Sequence, residues 1–180
     1  GFGGFSEITT ACGLKDFDLA LVELAVVDLD GDVDLDLAVF DVEGTARFFS
    51  NHRAWKFSEV EQAGKLSVPG IVSVTSGDLD GDGDLDLVVG ELNGPLRLLR
   101  NDAGKSSGWL IVELLDKRPA SMNRRGLGSL IEVRRAETVQ RRWLRGGGPF
   151  QSANSHRAHF GLGEGGQPVR LRVTWPDGEA

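Results

Sequence analysis

Short runs of strand-favouring residues, each closed by a Gly-, Asp- or Pro-containing turn, organise this chain. Apolar and β-branched residues fill 24–27, 37–40, 46–50, 71–76, 87–90 and 96–100 in the first part, then 109–115, 130–134, 139–145 and 169–175 in the second. Such segments suit a pleated, half-buried surface. Glu43-Gly44 and Asn93-Gly94-Pro95 carry hairpin chemistry, so 37–40 pairs with 46–50 and 87–90 with 96–100. A third hairpin is expected across Ala136-Glu137, and Pro176-Asp177-Gly178 stops the last strand. Phe5 to Thr9 reads as a short strand, Trp55 and Phe57 as core anchors, and 61–70 as a polar connection. The fold class expected is all-β.

Acidic residues break this pattern at two places. Asp78, Asp80, Asp82, Asp84 and Asp86 alternate with small or apolar residues, and so do Asp28, Asp30, Asp32, Asp34 and Asp36, 50 positions earlier. Two like charges about 4 Å apart repel by about 4 kcal/mol at an effective dielectric near 20. A hard cation converts that repulsion into attraction, and Ca²⁺ takes six to eight oxygens from carboxylates and carbonyls. The spacing suits a loop in which positions 1, 3, 5 and 9 give side-chain oxygen and position 7 gives its backbone carbonyl. An EF-hand would need flanking helices and a Glu at position 12, where this chain has Val89 between strand-like segments. Two Ca²⁺ loops between strands are therefore expected.

The 50-residue register extends past the acids, matching Leu37 with Leu87, Gly44 with Gly94, Arg47 with Arg97, Phe49 with Leu99 and Asn51 with Asn101. Repeats of this length built from short strands signal a propeller or another stacked β array. Position 6 differs, being Gly83 in the second loop and Val33 in the first. A sharp turn there favours glycine, so the first loop is expected to bind more weakly or to turn by a different backbone route.

Charge separates the two parts. The first 100 residues carry 19 Asp and Glu against 7 Lys and Arg, and the last 80 carry 8 against 13. The acidity of the first part is mostly loop charge and argues against a nucleic-acid partner. The adjacent arginines at 124/125, 134/135 and 141/142 read as a solvated face, with an anionic polysaccharide or an acidic neighbouring chain as the sharper alternative. Cys12 is the only cysteine, so no internal disulfide is expected and a buried thiol is the simple account. No apolar run approaches the ~20 residues of a membrane helix, so no membrane span is expected. The start, Gly-Phe-Gly-Gly-Phe, lacks a Met and leader features, which suggests a removed segment or a longer parent sequence.

At these residues the chain resembles a known family. The units 28–51 and 78–101 are similar to FG-GAP or VCBS repeats, the calcium-binding blades of integrin α-type propellers. Phe5-Ser6-Glu7-Ile8-Thr9 with Ala11-Cys12-Gly13-Leu14 resembles the segment that often precedes such blades. The tail resembles the ASPIC/UnbV domain of cartilage acidic protein-like chains. It does so through Trp109-Leu110, Asn123-Arg124, Gly126-Leu127-Gly128, Ser152, His159-Phe160-Gly161-Leu162-Gly163 and Trp175-Pro176-Asp177-Gly178. The resemblance implies two blade-like calcium repeats over 1–105 and a small β-sandwich-like domain over 106–180. It implies a propeller of about seven blades, of which this sequence holds two. The missing blades lie outside it, or the open edges are covered by other copies.

Catalysis is not expected. Ser152, His156, His159 and Asp177 are hydrolytic residue types, but no nucleophile elbow surrounds Ser152, and by resemblance His159 and Phe160 pack a turn. His52, His156 and His159 lack zinc-site spacing, no phosphate cradle opens a helix, and no Asn-x-Ser/Thr sequon occurs. The expectation is an extracellular or cell-surface, calcium-stabilised adhesion or matrix-binding module. Two alternatives stand beside it. One is a self-assembling subunit of an extracellular filament, a homo-oligomer joined through open edges. The other is a non-catalytic carbohydrate-binding part of a larger secreted enzyme.

Overall fold

The computed structural model describes residues 4–14, 20–61, 66–103, 108–119, 121–147, 156–164 and 169–178. Among them the chain forms strands and no α-helix. Strands β1 (Leu21–Val27), β2 (Asp36–Asp41), β3 (Thr45–Asn51) and β4 (Phe57–Glu59) make an antiparallel meander, and β5 (Leu66–Ser67) also pairs with β3. The β2–β3 turn closes because Asp41 Oδ1 accepts the amides of Glu43 and Thr45, each at 2.9 Å. Gly44 sits there at φ 82°, where the Val68 and Pro69 backbone leaves no room for a Cβ. Strands β6 (Ile71–Gly77), β7 (Asp86–Glu91) and β8 (Leu96–Leu99) repeat the first three strands of this meander.

The two sheets stack face to face with β1 beside β6. Side chains alternate across each strand, so one face of the first sheet presents Ala25, Ala38, Phe40 and Ala46. These meet Val74, Leu87 and Val89 of the second sheet in one buried cluster, with Phe48 and Leu99 at its margin. The repeat makes this arrangement directional. Fifty residues after Ala46 and Phe48 stand Leu96 and Leu98, which are 68% and 65% exposed. Fifty residues before Val74 stands Leu24, also exposed. The outer face of the second sheet is thus open at Leu96 and Leu98, while that of the first is open at Leu24 and covered at Val39 and Phe49.

The second part is a small sandwich. One sheet has the order β11 (Thr138–Trp143), β10 (Leu130–Arg135), β13 (Arg170–Thr174), and the other pairs β12 (Arg157–Gly163) with β9 (Gly108–Glu113). Val112, Leu114, Ile131, Val133, Leu144, Ala158 and Phe160 fill the space between them. The β10–β11 hairpin turns at Ala136-Glu137, as expected, with Ala136 at φ 47°. Arg118 ties the end of the last strand to this body. It makes a fork to Asp116 (Nε–Oδ1 3.0 Å, Nη2–Oδ2 2.7 Å), donates to Asp177 at 2.6 Å and lies over the Trp175 ring.

Several local expectations are corrected. Residues 5–9 form no strand: Thr9 N donates to Glu7 Oε1, and Cys12 N and Leu14 N donate back to Ile8 and Thr9, closing a turn around the buried Cys12 thiol. Trp55 is no core anchor but 74% exposed, because Arg53, Ala54 and Trp55 all adopt positive φ and turn the indole outward. Within 61–70, Val68 is fully buried and β5 adds to the first sheet, so this connection is partly structural. His159 and Phe160 lie on strand β12, from which His159 packs on the turn at Gly83 as expected while Phe160 enters the sandwich core. The arginine pairs agree with a solvated face at Arg124, Arg125, Arg134 and Arg141, which are exposed, the last two reaching Glu132 at the surface, while Arg135 donates to the Gly163 and Glu164 carbonyls. Ser152 lies outside the described residues.

Candidate metal centre

Both acidic loops join the first strand of a sheet to the second, β1 to β2 and β6 to β7. A chain reversing between adjacent strands must satisfy the amides it exposes, and here the aspartates do so in the same way twice. Leu29 N donates to Asp36 Oδ2 at 2.7 Å, and Leu79 N to Asp86 Oδ2 at 3.0 Å. Val33 N donates to Asp28 Oδ2 at 3.1 Å, and Gly83 N to Asp78 Oδ2 at 3.2 Å. Asp32 N and Asp34 N donate to the side chains of Asp30 and Asp32, and Asp82 N and Asp84 N to those of Asp80 and Asp82.

This bonding leaves carboxylate oxygens gathered at the loop centre. Asp28, Asp30 and Asp32 each place an oxygen within 4.8 Å of the others, and so do Asp78, Asp80 and Asp86. Of the remaining candidates, Asp34 turns outward to Arg53, with Oδ2–Nε at 2.6 Å. Asp36 is buried and accepts two amides, Leu29 and Asn51. Asp82 is exposed beside Asp84 N, and Asp84 is buried.

Electrostatics in the first loop mark the need for a counter-charge. Asp28 is 4% exposed, and its Oδ1 has no hydrogen-bond partner among the described residues. Burial pushes its carboxyl up to about 6, and the neighbouring Asp32 and Asp30 charges add to this against the Val33 amide. Burial likewise pushes Asp36 up to about 7, against the amides of Asn51 and Leu29. A buried, unpaired carboxylate oxygen is costly unless a cation or proton meets it. The donor set is all oxygen, without His or Cys, which suits a hard cation such as Ca²⁺ rather than zinc. The residues present therefore fit calcium.

The different backbone route expected for the first loop does not occur. Val33 stands at φ 90° and Gly83 at φ 96°, so both loops make one turn. The surrounding hydrogen bonds impose that turn on a β-branched residue, and the cost remains in the loop as strain.

Residues beyond the aspartates complete each site. Asn51 N and Asn101 N donate to Asp36 and Asp86 Oδ1, both at 2.9 Å, while their amide groups hold Leu35 and Leu85 carbonyls. Asn101 also reaches across to Leu29 O at 2.6 Å, tying the second repeat to the first loop. The matched positions of Asn51 and Asn101 were the available signal. The contribution of the C-terminal domain had no such signal. Gly163 N donates to Gly31 O at 3.0 Å, and His159 Nε2 meets Gly83 O at 2.8 Å. Since a carbonyl only accepts, Nε2 carries the proton, and burial lowers the affinity of the ring for a second one.

Known families account for these parts. A model of the FG-GAP-like repeat matches residues 28–89, and one of the FG-GAP repeat matches 71–109. A model described as ASPIC and UnbV matches 119–180. No curated protein matches the chain. Most of the residues that carried the resemblance fall inside the matched spans, while Phe5 to Leu14 and Leu110 fall outside them; this all-β chain thus carries FG-GAP repeat matches over 28–109 followed by an ASPIC and UnbV match over 119–180.

Proposed function

We propose that this chain is an extracellular, calcium-stabilised binding module for adhesion or matrix contact, without catalytic activity. The observation that carries the reading is the recurrence of most hydrogen bonds of one acidic loop at Asp28–Asp36 and Asp78–Asp86, with Asp28 Oδ1 buried and unpartnered where Asp78 Oδ1 accepts the Gly81 amide. Asp28, Asp30, Asp32 and Asp36 would hold one ion with the Asp34 carbonyl, and Asp78, Asp80, Asp82 and Asp86 the other with the Asp84 carbonyl. The ion supplies positive charge that ties the strands on either side of each loop. Extracellular modules commonly bind calcium at about 10⁻⁴–10⁻³ M, so such sites fill outside cells and empty in cytosol. The test is retention of the purified chain on immobilised extracellular matrix, with calcium and with a chelator. Calcium-dependent retention, lost in the D30N/D80N double variant, supports the reading, and retention indifferent to both contradicts it.

A second reading, self-assembly into a filament, draws support from the exposed Leu24, Leu96 and Leu98, which hold places that match residues of the internal blade-to-blade contact. Leu96 and Leu98 on one copy would meet the Leu24 face of the next, repeating the internal packing. Because the two faces differ, this contact is head-to-tail and extends unless its rotation closes a ring. Fibres or rings in electron micrographs at physiological calcium support it, and a monodisperse monomer in sedimentation contradicts it.

A further inference from the structure

The strand that carries His-Phe-Gly-Leu-Gly alternates its side chains between two environments. Phe160 is fully buried in the core of the C-terminal sandwich, with Leu162 packed against that core. The intervening residues His159 and Gly161 face the opposite way, as alternation requires, and a β-bulge between Gly161 and Gly163 turns the Gly163 amide the same way. They meet the two acidic loops. Gly163 N donates to Gly31 O at 3.0 Å in the first loop, and His159 Nε2 donates to Gly83 O at 2.8 Å in the second. Between them, Gly161 lies so close to the first loop that a Cβ would collide with Asp28 Oδ2 and stand 2.9 Å from the Gly31 carbonyl carbon and oxygen. On the paired strand, the Trp109 indole rests on Gly83, where a Cβ would collide with it.

We propose that the loop-facing side of β12, through His159, Gly161 and Gly163, is the dock that joins the C-terminal domain to both calcium loops, so that metal binding and domain docking are one coupled equilibrium. The inference rests on the calcium reading above and adds a role for residues outside the loops. Its physical basis is that the docked groups are loop groups. Gly31 O and Gly83 O are acceptors at turn positions whose geometry is fixed by the aspartates around the ion. A loop without its ion carries mutually repelling carboxylates and relaxes by opening, which moves both acceptors away from β12. Conversely, Gly161 shields Asp28 from water and so strengthens its attraction for a cation. Linkage then requires reciprocity: whatever calcium contributes to docking, docking contributes to calcium affinity. His159 and Gly161 are thereby positioning residues for the metal, although neither is a ligand.

The experiment uses the full chain in two measurements. Calorimetric titration with CaCl₂ compares the wild type with H159A and G161A, and hydrogen exchange follows the Gly163 amide with calcium and with chelator. Coupling is expected to weaken calcium binding roughly fivefold or more in each variant. It is also expected to speed exchange at Gly163 on calcium removal while Ile131 and Val133 stay protected. If G161A fails to fold, H159A and the wild-type exchange data decide. Calcium binding by the wild type with unchanged affinity in the variants, or with Gly163 exchange indifferent to calcium, overturns the coupling and leaves the metal reading standing. Absence of calcium binding by the wild type overturns both.

Discussion

Val33 and Gly83 hold the same left-handed backbone conformation, φ 90° and 96°, at matched positions of the two loops. Glycine adopts this geometry freely, whereas a β-branched residue there is strained by about 1–3 kcal/mol. Val33→Gly is therefore expected to stabilise the chain by roughly 1 kcal/mol after the loss of side-chain burial and the added freedom of the unfolded state. It should also tighten calcium at the first loop. Thermal unfolding and calcium titration of the variant check this, and an unchanged or lowered midpoint with unchanged affinity contradicts it.

Asp28 and Asp36 set a pH dependence. In the absence of metal, their folded-state values of about 6 and about 7 lie above the ordinary aspartate range. The folded chain then holds protons that the unfolded chain has released. Metal-free stability is thus greatest near pH 4 and declines as pH rises through 6 and 7. Calcium competes with the same protons, so its affinity at the first loop should fall as pH drops from 7 toward 5. Unfolding midpoints in chelator and titrations across this range measure the two trends, which run in opposite directions.

The fork from Arg118 to Asp116, with Asp177 on its third nitrogen, closes the C-terminal domain. The Arg118 guanidinium holds the Asp116 carboxyl well below the usual carboxylate range, with the Arg118 amide and Ser121 assisting. The contribution of this pair is therefore present above pH 4 and lost as pH falls below it. Arg118→Ala is expected to lower the melting temperature at neutral pH and to flatten its acid dependence below pH 4. Equal midpoints for variant and wild type at pH 7 contradict the role.

Leu98 tests the assembly reading apart from folding. It is 65% exposed, so Leu98→Asp should change monomer stability by no more than about 0.5 kcal/mol. On the self-assembly reading the same change abolishes head-to-tail association seen in sedimentation. Association that persists in the variant removes this face from the contact.

What was legible in the sequence followed local rules. The 50-residue register named both loops and the strands β2, β3, β7 and β8, because alternation and turn chemistry act within a few residues. Glu43-Gly44 and Ala136-Glu137 marked hairpins for the same reason. Long-range packing was not legible. Trp55 is exposed because three successive left-handed residues precede or include it, a conformation its composition does not signal. His159 read as a structural residue, and its bond to Gly83 joins positions 76 apart in sequence. Gly161 could not be tied to Asp28, since the constraint there is another element's proximity, not a turn. Val33 differs in kind: its identity was read correctly as unfavourable for the turn, yet the aspartate hydrogen bonds around it outweigh the preference.

The central claim is that the two aspartate loops hold calcium and that each ion ties the strands on either side of its loop. Counting bound Ca²⁺ by calorimetric titration, with thermal unfolding run alongside, tests it most directly. The account expects two ions per chain, one lost in each of D30N and D80N, and a gain of about 2.7 kcal/mol per site at a calcium concentration 100 times the dissociation constant. No heat of binding, together with one melting temperature in millimolar calcium and in chelator, would contradict it.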